Sequence, residues 1–120
     1  MRSVLVVEDE ALIALDLVCS IEALGYRVLG PAASSEEACR IAAREKPDLL
    51  LMDVTLHGQP DGIETAQSIT RDRPAKIVFL TALSDDATRR RAESLRPQAF
   101  LSKPYSTRQM ERVLAEAFAA

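Results

Sequence analysis

Short apolar runs alternate with longer amphipathic stretches along the chain, the pattern of strand and helix units repeated around a parallel sheet. The predicted strands are Val4 to Val7, Arg27 to Gly30, Leu49 to Met52, Ile77 to Leu80 and Ala99 to Leu101. Most lack the alternation of a half-exposed strand, so both faces of the sheet should be covered. The expected fold class is therefore α/β, a doubly wound five-stranded parallel sheet flanked by helices.

The first predicted helix runs from about Glu10 to Leu24 and closes at Gly25, with Ala14, Leu17, Val18 and Ile21 as its buried stripe. Leu12, Leu15 and Cys19 form a second apolar stripe, read either as core or as a docking face. The second helix starts at Ser34, where Ser34 and Glu37 have capping-box spacing, and stops before Pro47 with Ala38, Ile41 and Ala42 inward. The third spans roughly Ile63 to Arg71. The fourth, near Asp86 to Leu95, offers only Ala87, Ala92 and Leu95 as anchors and should be loosely held. Ser106 or Thr107 caps the last, where Met110, Val113, Leu114, Ala117 and Phe118 keep helical spacing.

A length of 120 residues with 48% hydrophobic content suits one domain, residues 1 to 120. No segment reaches the roughly 18 apolar residues of a membrane span, and the start lacks a signal-peptide pattern, so a cytoplasmic protein is expected. Fifteen basic against 18 acidic residues, a net charge of -3, give no general attraction to nucleic acid or anionic membrane. Cys19 and Cys39 show neither redox nor zinc spacing and read as buried, reduced thiols.

In a doubly wound sheet, ligands bind beyond the carboxyl ends of the strands. Glu8 and Asp9 follow the first predicted strand, Asp53 the third, Thr81 the fourth and Lys103 the fifth. Three carboxylates brought within about 4 Å would repel by roughly 4 kcal/mol per pair at an effective dielectric of about 20. A divalent cation relieves that repulsion, and hard oxygen ligands with sites left open suit magnesium. Asp53, at the end of a rigid strand, is placed to attack phosphorus, with Lys103 and Thr81 to stabilise the transferring group.

The segments Val6-Val7-Glu8-Asp9-Glu10, Met52-Asp53-Val54, Asp61-Gly62, Leu80-Thr81-Ala82 and Ser102-Lys103-Pro104 together resemble the motifs of two-component response regulator receivers. The resemblance implies the strand order 2-1-3-4-5, for which the receiver fold is itself a standard example. It implies that Asp53 accepts phosphate from a histidine kinase or histidine phosphotransfer protein. Glu8, Asp9, Asp53 and the backbone carbonyl of Thr55 would hold Mg2+, and Thr81, Ala82 and Lys103 would bind the phosphoryl group. Thr81 and Phe100 would be the switch pair, the Lys103 to Pro104 bond would be cis, and the output would be a contact with a downstream protein. A homodimer through the fourth helix, fifth strand and fifth helix is one assembly open to such a domain.

Two departures from the family pattern stand out. The loop from Thr55 to Gly62 is about one residue longer than usual and lacks Met-Pro after the acceptor. Thr55 and Leu83, at positions that tune dephosphorylation, offer no carboxylate or amide to orient water, so a long-lived phosphoryl form is expected. Taken singly, the residues have plainer readings: Glu8-Asp9-Glu10 as a helix-start acid cluster, Lys103-Pro104 as a turn, His57 as a loop residue, Arg89-Arg90-Arg91 as a solvated face. Competing functions are an Asp-nucleophile phosphatase of the haloacid dehalogenase type, which would want an acid where Thr55 stands, and a constitutive interaction module. A stand-alone regulator is preferred over a receiver cut from a larger regulator or hybrid kinase.

Overall fold

The structure, a computed structural model, describes residues 1–56, 58, 60–82 and 85–120. Ten elements alternate: β1 (Ser3–Val7), α1 (Ala11–Ala23), β2 (Arg27–Ala32), α2 (Ser35–Glu45), β3 (Leu49–Asp53), α3 (Gly62–Asp72), β4 (Lys76–Thr81), α4 (Asp86–Glu93), β5 (Ala99–Ser102) and α5 (Thr107–Ala119). The strands are parallel in the order β2-β1-β3-β4-β5, as the resemblance implied. Among the described residues, no helix is long and apolar enough to cross a membrane.

The unalternated strands are explained by two cores. Leu5, Val7, Leu50 and Met52 face α2 and α3, whereas Val4, Val6, Leu49 and Leu51 face α1 and α5. Successive side chains of one strand thus enter opposite layers, and β1 and β3 are buried throughout. At roughly 25 cal/mol per Å2 of apolar surface removed from water, burial of these central strands on both faces is strongly stabilising.

Every predicted strand exists, with half of the ends one residue longer. The largest extension is in β2, which passes through Gly30 and Pro31 to Ala32. Leu5 pairs with Leu29 and Val7 with Ala32, so the β2 side carries an extra residue in a bulge. Gly30 sits there at φ 89, where a side chain would crowd Ala32 N at 2.8 Å and Val6 O at 3.1 Å. The bulge was illegible because its cause is a backbone contact with a distant strand.

Helix ends follow local chemistry. Gly25, at φ 99, ends α1 as its position suggested. Ser34 caps α2 by accepting from Glu37 N, but the Glu37 carboxylate turns to Ala33 N and leaves the box incomplete. The complete boxes are Asp61 with Glu64 on α3 and Ser106 with Gln109 on α5. In α4 only Ala92 is buried among the three expected anchors; Ala87 is exposed and Leu95 half-buried.

Two readings of the helices are corrected. Leu12 and Leu15 are 83% and 59% exposed, which rules out the core role for that stripe. Cys19 shares the exposed face and Cys39 is only partly covered, so both are free thiols without the expected burial. α1 is apolar nearly all round, and sequence alone does not say which of two apolar stripes meets the sheet.

Candidate functional site

The candidate site lies at the carboxyl edge of the sheet, and backbone bonds fix its frame. Glu8 N donates to Ala32 O at 2.9 Å, Val54 N to Leu80 O at 3.0 Å and Lys103 N to Thr81 O at 2.8 Å. Each chemistry-bearing loop therefore leaves its strand while still tied to the neighbouring one, which limits the freedom of the side chains beyond.

Glu8, Asp9 and Asp53 each bring a carboxylate oxygen within 4.8 Å of the others. Glu8 is 2% exposed and Asp53 3%. Two buried acids at this spacing require compensation. Lys103 provides part of it, with Nζ 3.0 Å from Asp53 Oδ2 and 3.6 Å from Glu8 Oε1. Asp53 Oδ1 accepts from both the backbone N–H and the hydroxyl of Thr55, each at 2.9 Å. Glu8 Oε2 accepts from Glu10 N at 3.1 Å, whereas Glu8 Oε1 is buried and makes no hydrogen bond among the described residues.

The protonation pattern follows from this geometry. Burial, reinforced by the Asp53 charge, pushes the Glu8 carboxyl up to about 7 despite Glu10 N–H and Lys103. Burial also acts upward on Asp53, but Thr55 N–H, Lys103 and Glu8 outweigh it and leave that carboxyl below its ordinary value. Lys103 is raised because its bond to Asp53 and the charges of Asp53 and Glu8 exceed the opposing effect of burial. The set thus holds one firmly ionised acid beside one that readily keeps a proton.

These donors fit a hard divalent cation. They are all-oxygen, lie within 4.8 Å of one another, and include Glu8 Oε1, which accepts no hydrogen bond among the described residues. The remaining expected residues lie on β4 and β5 or just beyond their ends. Thr81, half-buried, ends β4 opposite Ser102 of β5, and Ala82 follows exposed. The Lys103–Pro104 peptide bond is cis, as is Gly30–Pro31. Phe100 is half-buried on β5, stacked on Phe79 with ring centroids 5.9 Å apart. His57 and Leu83 lie outside the described residues.

Sequence reasoning missed contacts made by four residues. The Thr55 side chain binds Asp53 directly, a local bond that a threonine two residues after an aspartate can signal. Gly62 opens α3 against the Asp53 backbone, where a Cβ would strike the carbonyl oxygen. Arg91 Nη2 meets Asp61 Oδ2 at 3.0 Å and the Arg89 guanidinium lies 4.0 Å from the Phe100 ring centre. All three consecutive arginines are exposed, as the solvated-face reading expected, and two of them also make these contacts within the fold.

Residues 4–115 match the family model described as the response regulator receiver domain. Over 105 residues the chain is 43% identical to the transcriptional regulatory protein PdtaR of Mycobacterium tuberculosis, covering 88% of this chain and 51% of that protein. It is 32% identical over 116 residues to the phyllosphere-induced regulator PhyR of Methylorubrum extorquens, covering 95% of this chain and 42% of that one. The chain therefore spans about half the length of these curated relatives or less. Among solved structures, the signal receiver domain of a modulated diguanylate cyclase from Desulfovibrio desulfuricans superposes with a TM-score of 0.92 at 37% identity, over 99% of this chain and 94% of that one. With fold, site and relatives in agreement, the chain belongs to the response regulator receiver domain family.

Proposed function

We propose that this receiver accepts a phosphoryl group on Asp53 from the phosphohistidine of a histidine kinase or phosphotransfer protein, with Mg2+ at the acidic cluster, and thereby switches a protein-binding surface. The observation that carries the reading is the convergence of Glu8, Asp9 and Asp53 within 4.8 Å beside Lys103 Nζ. Glu8, Asp9, Asp53 and the carbonyl of Thr55 would hold the cation, which supplies charge neutralisation for the incoming phosphoryl oxygens.

The chain's own residues perform the rest. Thr55 and Lys103 fix the Asp53 carboxylate from its two oxygens, so the nucleophile is oriented before a donor arrives. A carboxylate oxygen forms the new O–P bond as the N–P bond to the donor imidazole breaks, with that electron pair leaving on nitrogen. No general base is required, because Asp53 is already ionised. Lys103 then pairs with the phosphoryl oxygens, Thr81 moves to hydrogen-bond them with Ala82 beside it, and Phe100 turns into the space released.

Mass spectrometry after addition of a small acyl phosphate and magnesium tests the proposal. One added phosphoryl group on Asp53 is expected; labelling elsewhere, or none, would overturn it. Turnover of simple phosphate esters, the alternative of a phosphatase, lacks support because Thr55 offers a hydroxyl bound to Asp53 where an acid would be wanted.

Two further results are expected. Glu8 must lose its proton to serve as a ligand, so magnesium affinity should fall about tenfold per pH unit below about 7 and level off above it, read by calorimetry across pH. The metal-free fold should show the reverse trend: a raised Glu8 contributes stability below its ordinary value of 4.5 that is lost as pH climbs through about 7. An affinity flat from pH 5 to 8 would refute this. Second, with no acid or amide side chain at Thr55, the phosphoryl form should outlast seconds by a wide margin when its loss is followed in magnesium buffer.

A further inference from the structure

α4 is poorly anchored. It has eight residues and one buried side chain, Ala92, and so short a helix is marginal without tertiary contacts. Two arginines tie it to the acceptor side. Arg91 Nη2 meets Asp61 Oδ2 at 3.0 Å, while Asp61 Oδ1 accepts from Glu64 N to cap α3. One carboxylate therefore joins α4 to the helix start whose Gly62 abuts Asp53. Arg89 lies 4.0 Å from the Phe100 ring centre, and Glu93 steadies its guanidinium at 3.6 Å.

We propose that Arg89 and Arg91 form a latch that holds α4 and the Phe100 ring in the resting arrangement. The inference rests on the reading of Phe100 as a switch residue. Phe100 touches Phe79 on the core side and Arg89 from α4. A ring turned inward would leave Arg89 without its aromatic face, so this contact favours the resting state alone. A contact made in only one of two states shifts the equilibrium by its full free energy. Arg91 adds to the bias, since displacement of α4 breaks the bond to Asp61. An exposed cation–π contact and an exposed ion pair are each weak, and together they should move the population roughly three- to tenfold.

The test uses the intact chain with Arg89→Gln, Arg91→Gln and the double variant, and Asp61→Asn as a fourth. Asparagine caps a helix about as well as aspartate, so Asp61→Asn removes the partner charge while α3 stays capped. Aromatic NMR signals of Phe100 are recorded without phosphodonor and compared with wild type before and after phosphorylation. Circular dichroism checks the fold.

In the variants the Phe100 signals should move toward those of phosphorylated wild type. Labelling by acyl phosphate should quicken roughly three- to tenfold in the double variant. Variant signals that stay at the unphosphorylated position, while wild type responds normally, would overturn the latch and leave the switch reading intact. A wild-type Phe100 that does not move on phosphorylation would remove the switch reading, and the latch with it.

Discussion

Asp53→Asn should abolish phosphoryl uptake and leave partner binding the same with and without a phosphodonor. The substitution is nearly isosteric, and its amide oxygen can still accept from the Thr55 N–H and hydroxyl, so the local turn should persist. The nucleophile is lost, together with the charge that holds Lys103 Nζ at 3.0 Å. Lys103 then has Glu8, 3.6 Å away, as its remaining buried partner. With the neighbouring negative charge gone, Glu8 should titrate lower than about 7, because Asp53 contributes to its rise. Mass spectrometry after acyl phosphate treatment checks the first outcome, and NMR titration of the Glu8 carboxyl the second. Phosphorylation retained in Asp53→Asn would remove this residue as acceptor.

Legibility of the sequence followed the range of the forces involved. Strand existence was plain because β1 and β3 are buried on both faces, and double burial leaves an unbroken apolar run. The acidic convergence was legible because strand ends in such a sheet share one edge, so Glu8, Asp9, Asp53 and Lys103 could be placed together before any coordinate was known. Apart from the local Thr55 bond to Asp53, what escaped depends on contacts between segments far apart in the chain. The β2 bulge at Gly30 answers to Val6, and the arginines of α4 find Asp61 and Phe100. The stripe of Leu12, Leu15 and Cys19 was ambiguous for another reason. A helix carrying two apolar faces packs one, and the exposed one is fixed by the angle at which α1 meets the sheet.

Gly62→Ala is expected to weaken both the fold and the acceptor, which connects packing to chemistry at a residue with no functional group. The added Cβ would land on the Asp53 carbonyl oxygen, 2.9 Å from its carbonyl carbon and 3.0 Å from Val54 Cα. All three are backbone atoms of the strand end that carries the nucleophile, so no flexible side chain can yield. Either α3 withdraws, straining the Asp61 and Glu64 cap, or the end of β3 moves and carries the Asp53 carboxylate away from Lys103. Overpacking of this kind costs about 2 to 3 kcal/mol, a fall in melting temperature of about 10 °C for a chain of this size. Phosphoryl uptake should slow about tenfold, since small displacements of an oriented nucleophile are costly. Gly25→Ala is the matched control: nothing lies within 4 Å of its Cβ, but its φ of 99 is unfavourable to alanine, so it should lose about 1 kcal/mol with no change in uptake. Thermal unfolding and acyl phosphate labelling of both variants distinguish the two glycines. A Gly62→Ala protein as stable and as quickly labelled as wild type would show that α3 can shift without disturbing Asp53.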